Sequence, residues 1–144
     1  MPDESHEVRY VSNAETGQAW AAFILGELYE IWPQRCDFHY LEVMTKTHVT
    51  SKYDQELVFD HLLLWMRDEG FIRFNQSFEA NVMGVSLTQQ GMNILGQVSP
   101  LADSPSVGSA LKKVAGGAAS EAGRTAISQI MGLVIGSAAK AYGL

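Results

Sequence analysis

Basic charge is what this sequence has least of. Ten Lys and Arg stand against 16 Asp and Glu, a net charge of −6 with His neutral. The shortage is uneven. Residues 1–105 hold 6 Lys/Arg and 15 Asp/Glu, a net of −9, and residues 106–144 hold 4 and 1, a net of +3. An acidic body repels a phosphate backbone, so most of the chain is poorly suited to nucleic acid. Cysteine is almost missing: Cys36 is alone, which excludes an internal disulfide framework and fits a reducing compartment. No long apolar run is present either. The most apolar stretch, Ile130 to Ala139, is ten residues long and is bounded by Gln129 and Lys140. That is half of the ~20 residues a membrane span requires. The opening MPDESHEVRY is polar and acidic, without the apolar segment of a secretory leader, so the cytoplasm is the expected compartment.

Catalytic motifs are missing as well. Cys36 and His39 are three residues apart, with His48 further on, but a fourth metal ligand is lacking, so packing and surface roles are expected for them. Gly116 and Gly117 follow no strand and lack phosphate-loop spacing. His61 reads as a solvated or hydrogen-bonded histidine rather than a switch, and Asp68-Glu69 as an exposed helix end. The chain reads as a non-enzyme with no cofactor and no metal.

What is present is a run of local structure signals. Residues 1–12 are expected to be flexible. Asn13 is placed to cap a helix reaching Trp32, where Pro33 stops it. Trp20, Phe23, Ile24, Leu28 and Ile31 form its buried stripe. Asp37 is expected to cap a short second helix with Phe38, Leu41 and Met44 inward, and residues 45–50 to be a turn. Ser51, with Asp54 three residues on, is the expected cap of a long helix closed by Gly70. Phe59, Leu62, Leu63 and Met66 face its core. A strand is predicted over 71–75 with Ile72 and Phe74 on one face, then a polar tip, QSFEAN. Val82 to Leu87 is the partner strand, with Met83, Val85 and Leu87 alternating against Val82, Gly84 and Ser86. Thr88 caps a helix containing Met92, Ile94 and Leu95.

The run W-M-R-D-E-G-F-I followed by V-S-L-T-Q-Q-G resembles the helix–wing–helix junction of winged-helix (winged helix-turn-helix) proteins. The resemblance implies a mainly α fold with a small β-hairpin wing (α+β). Residues 13–98 are then a winged-helix domain, 99–106 a linker and 107–144 a C-terminal helical segment. The layout is also similar to small bacterial or phage winged-helix proteins of unknown role that carry a C-terminal helical appendage. That likeness brings no site residues.

The C-terminal segment reads as two short helices or one bent one. Its first stripe is Val107, Leu111, Val114, Ala118 and Ala122. The stripe then moves round to Ile127, Ile130, Met131, Val134 and Ala138, with Gly123 near the change. Ser128, Gly132 and Gly136 make a small-residue ridge at four-residue spacing, which permits close helix contact.

DNA binding is what the winged-helix resemblance implies, because the long helix of that family enters the major groove. The outward face of this long helix argues otherwise. By rotation it presents Leu57, His61, Leu64 and Asp68, flanked by Tyr53, Glu56, Asp60 and Arg67, where a base reader needs cations and amides. Leu57 and Leu64, with Val58 and Trp65 beside them, make a patch that something should cover. The C-terminal helix, of this chain or of a partner, is the expected cover. The leading expectation is an interaction module that binds a protein partner or itself, using Leu57, His61, Leu64, Trp65, Ser128, Gly132 and Gly136. The alternative is a DNA-binding regulator using Lys52, Gln55, Arg67 and Arg73. A third is a peripheral membrane adaptor, with Lys112, Lys113 and Arg124 toward anionic lipid and Ile127 to Val134 inserted.

Overall fold

The computed structural model describes residues 8–141, a mixed fold of helices and short strands. Helix α1 (Asn13–Ile31) is its axis. Ser12, rather than Asn13, caps it. The Ser12 hydroxyl accepts the Glu15 amide at 3.1 Å and the Glu15 carboxylate accepts the Ser12 amide at 3.3 Å, a complete capping box. Asn13 is engaged elsewhere, accepting a hydrogen bond from the Ser51 hydroxyl. Trp20, Ile24 and Leu28 are buried as the stripe requires, and Trp20 donates through Nε1 to the Val49 carbonyl at 3.0 Å. Ala19, Ala21, Ala22, Leu25 and Gly26 are buried too, so α1 is enclosed on almost every side.

The expected flexible N-terminus lies partly outside the described residues. Within them, Arg9–Val11 forms strand β1. It pairs in parallel with β3 (Val49–Ser51), where a turn and the Ser51 cap were expected. Ser51 is buried in that strand, and its hydroxyl is taken up by Asn13 and by the Tyr53 amide. The long helix α3 (Gln55–Asp68) is capped instead by Asp54, whose Oδ1 accepts from the Leu57 amide at 3.1 Å. Phe59, Leu63 and Met66 are buried, Leu62 is half-buried, and Gly70 takes the left-handed conformation (φ 83°) at the exit.

Asp37 does not cap a helix. It lies in strand β2 (Cys36–His39), and α2 (Tyr40–Thr47) starts later, capped by His39 Nδ1 accepting from the Leu41 amide at 3.1 Å. The later start rotates the helix, so Val43 and Thr47 face the core and Leu41 is 47% exposed rather than inward. Phe38 is buried, but from the strand.

The sheet is built on β6 (Asn81–Leu87), with β2 along one edge. Strands β4 (Ile72–Arg73) and β5 (Gln76–Phe78) lie in succession along the other, so the predicted polar tip is partly strand. The expected alternation fails in the middle of β6. Val82, Val85, Ser86 and Leu87 are buried and Met83 is 37% exposed. Gly84 (φ 68°) is the cause: Cys36 faces Val85 while Phe38 faces Val82, so three steps along β6 oppose two along β2. Asp37 serves this bulge, accepting the Gly84 amide at 2.9 Å.

Thr88 caps α4 (Gln89–Leu95), accepting the Gly91 amide and donating to the Gly70 carbonyl, which ties the helix to the turn after α3. Residues 99–106 form a closed loop: Val98 bridges to Ser106, and the Val107 amide donates to the Gln97 carbonyl at 2.9 Å. Ser106 then caps α5 (Val107–Ala115), and α6 (Glu121–Ala141) follows after a break at Gly116–Ser120. Ile127, Ile130, Met131, Val134 and Ala138 are buried together, as are Val107, Leu111 and Ala118. Ala122 is exposed, because the break ends the first stripe before it.

Helix α5 lies directly on α1, and α6 lies on α1, α4 and α5. Two glycines set how close α5 comes. A Cβ on Gly26 would meet the Lys112 backbone nitrogen at 2.7 Å, and one on Gly108 would meet the Tyr29 ring at 2.3 Å. Lys112 beside the crossing reaches Glu30 (2.6 Å) and Glu27 (3.2 Å), and Arg124 of α6 reaches Glu15 at the start of α1 (2.9 Å). A side chain at either glycine must push two packed helices apart, at roughly 1–3 kcal/mol. Gly26→Ala and Gly108→Ala should therefore lower the thermal midpoint despite Ala's better helix propensity. Gly132→Ala and Gly136→Ala, where an added Cβ meets nothing within 4 Å in the same chain, should stabilise the monomer, by up to ~1 kcal/mol each, and raise its midpoint at dilute concentration. Calorimetry of the four variants checks both signs.

Candidate interaction surface

One side of α3 is tied into the core through Phe59, Leu63 and Met66, so its opposite side is fixed in orientation. That side carries Leu57 (50% exposed) and Leu64 (36%), two turns apart, with His61 exposed between them. Trp65 (37%) flanks the row and packs on Phe71 with ring centroids 6.0 Å apart. The expected cover by this chain's own C-terminal helix does not form. Helix α6 seats on α1, α4 and α5 through Ile127, Ile130, Met131, Val134 and Ala138, and it leaves the outward side of α3 open.

Acids border the row. Glu56 and Asp60 lie on the flank opposite Trp65, and Asp68 lies at its end; by rotation of the helix they share this side. Asp60 Oδ1 is buried without a hydrogen-bond partner. Burial holds the Asp60 carboxyl above its ordinary range, with Glu56 and Asp54 adding to the shift and His61 opposing it. Beyond Glu56 the surface continues into a cleft of about 490 Å³ lined by His39, Tyr40, Leu41, Glu56, Glu79 and Asn81. Glu79 and Ala80 both sit at positive φ (50° and 61°) in the β5–β6 turn, a conformation in which Asn and Gly are at home. The cleft was not anticipated from the sequence. Its exposed Leu41 was read as core, and its parts come from three separate segments.

The residues considered for DNA are not gathered into one basic patch. Lys52 and Arg73 are exposed, whereas Gln55 donates to the Ser51 carbonyl at 3.4 Å. Arg67 lies over the Phe74 ring (4.9 Å) and 3.9 Å from Asp68. The residues considered for lipid are turned to the protein itself. Lys112, Lys113 and Arg124 pair with Glu27 and Glu30, with Asp103, and with Glu15 respectively. Ile127, Ile130, Met131 and Val134 face the core. Among the described residues no helix is long and apolar enough to cross a membrane. Ser128, Gly132 and Gly136 all lie on the outward side of α6, next to Leu133 (46% exposed) and Ile135 (42%).

Cys36 and His39 share β2, and His39 Nδ1 is occupied by the Leu41 amide. His48 closes α2 in a left-handed conformation. No group of three or more His, Cys, Asp or Glu able to hold a metal occurs among the described residues. Burial, followed by the charges of Glu42, Asp37 and Glu27, pushes the Cys36 thiol up, which disfavours the nucleophilic thiolate. No known family, curated protein or solved structure matches the chain.

The Asp60 shift fixes the sign of a pH effect. A carboxyl raised in the folded state disfavours folding once ionised, so its penalty grows as pH rises from 3.8 through the folded value and is absent below that window. Asp60→Asn should therefore raise the thermal midpoint at about pH 7 and leave it unchanged near about pH 3. A midpoint lowered at neutral pH would show that the carboxylate is stabilising instead.

Proposed function

We propose that the chain is a non-enzymatic interaction module of winged-helix type, in which the helix that would otherwise read DNA presents a protein-binding face. The order α1, α2, α3, hairpin, α4 supports the winged-helix reading, with β4, β5 and β6 in the place of the wing. One observation carries the function: the outward side of α3 is apolar along Leu57, Leu64 and Trp65 and acidic at its border. Exposed apolar side chains grouped on a rigid helix mark contact surfaces. Carboxylates beside them oppose phosphate. We further propose that the outward side of α6, with Ser128, Gly132, Leu133, Ile135 and Gly136, serves self-association, since small residues there admit a second helix at short range.

Fluorescence anisotropy of a labelled random-sequence duplex across a salt series separates this reading from that of a DNA-binding regulator. Even a sequence-specific reader shows a non-specific electrostatic term near Kd ~10⁻⁴–10⁻⁶ M at physiological salt. The module should show no binding even at about 50 mM salt. Binding that falls steeply with salt and is lost in Lys52→Ala/Arg73→Ala would replace it with the regulator. For the second surface, sedimentation equilibrium should show a reversible oligomer that Gly132→Leu shifts toward monomer.

A further inference from the structure

We infer that the occupant of the α3 face is a cationic amphipathic helix of a partner protein. Its apolar stripe would lie on Leu57, Leu64 and Trp65, and its Lys or Arg side chains against Glu56, Asp68 and Glu79. The inference rests on the interaction-module reading and adds the chemistry of the partner.

Leu57 and Leu64 are seven residues apart, about 10.5 Å along the helix at 1.5 Å per residue. A second helix with apolar residues at i, i+3, i+4 and i+7 presents a stripe of matching length. An apolar stripe alone would accept a neutral helix, and the charges make the choice. Along α3 the row is bordered on the Glu56 flank by the carboxylates of Glu56 and Asp60 before Arg67, with Tyr53 just ahead of the helix, and Arg67 is already placed over Phe74 and beside Asp68. Next to this flank, the cleft between α2, α3 and the β5–β6 turn offers the Glu56 and Glu79 carboxylates, the Asn81 amide and the Tyr40 ring, which His39 contacts with ring centroids 4.9 Å apart. Carboxylates and an aromatic face together suit a guanidinium or ammonium group.

Other occupants fit less well. A second copy's exposed Arg9, Lys52 and Arg73 lie off its helices, and α2 and α3 offer one cation each, so a helix with several cations would have to come from α5 and α6. Of their four, Lys112, Lys113 and Arg124 are already paired with acids of their own chain. Nucleic acid and anionic lipid meet the same carboxylates and are repelled.

The test uses the full chain and synthetic fluorescein-labelled helical peptides of about four turns. The first carries Leu at i, i+3, i+4 and i+7 with Lys elsewhere. The second keeps Leu and replaces Lys by Gln. The third keeps Lys and replaces Leu by Ser. The Leu/Lys peptide should bind with micromolar affinity, weakening on the order of tenfold between low and high salt as the charges are screened. The other two should bind at least about tenfold more weakly. Leu57→Ser/Leu64→Ser and Glu56→Gln/Glu79→Gln should each reduce Leu/Lys binding by a similar factor. All four positions are exposed, so circular dichroism should be unchanged.

Equal binding of the Leu/Gln peptide would overturn the cationic partner while leaving the protein-binding face intact. Equal binding of the Ser/Lys peptide, or insensitivity to the leucine variants, would reduce the effect to general attraction for a polycation and overturn the inference. Absence of binding by all three would overturn it too. The duplex and sedimentation experiments, not the peptides, bear on the interaction module itself.

Discussion

The structure depends on the enclosure of α1. A helix with Ala19 to Ala22, Ile24, Leu25, Gly26 and Leu28 all buried leaves water only a narrow strip along Glu15, Gln18, Glu27 and Glu30, so it must be walled in by elements from both halves of the chain. Helices α2 and α3 with β3 and β6 form part of that wall, and α5 and α6 form the rest. The hydrophobic core is accordingly one body running from Ala19 to Ala138. The Gly26–Gly108 crossing fixes the spacing of the C-terminal half, and the Arg124–Glu15 pair ties the start of α6 to the capping box of α1. Glu15 is thus shared: the Ser12 contacts chiefly, then Arg124, hold its carboxyl below the usual range.

Strongly periodic elements were legible in the sequence. The stripes of α1, α3 and α6 are mostly large aliphatic and aromatic residues at helical spacing, and Thr88 and Gly70 announce helix ends by chemistry that few other residues share. What was not legible has a physical pattern. The second buried face of α1 is built from Ala and Gly, which carry almost no hydrophobic signal yet determine how closely α5 can seat. Ser12 and Asn13, like Ser51 and Asp54, are competing caps. Which member wins was decided by a hydrogen bond between distant segments, Ser51 to Asn13, that no local window contains. The short strands β1, β2 and β3 of three or four residues are held by pairing partners rather than by propensity.

The candidate surface divides along the same line. Leu57, Leu64 and Trp65 were identifiable because they are apolar where the helix period requires polarity. The adjoining cleft was invisible because the inward face of α2 depends on where that helix begins, and its start is set by β2 pairing with the bulged strand β6. A single glycine, Gly84, is therefore felt at a distance: its bulge engages Asp37, Asp37 stays in the strand, and Leu41 is left on the surface beside Glu56.

The enclosure of α1 also bears on synthesis. The residues that cover the Ala and Gly face of α1, from Gly108 to Ala138, are made about a hundred positions after it. At roughly 5–20 residues per second the nascent chain spends several seconds with that face unsheltered. Small side chains suit such a wait. An Ala-rich face presents little adhesive surface to neighbouring chains, whereas a Leu-rich face of equal area would be far stickier. The tight α1–α5 crossing can then close once α5 has been made.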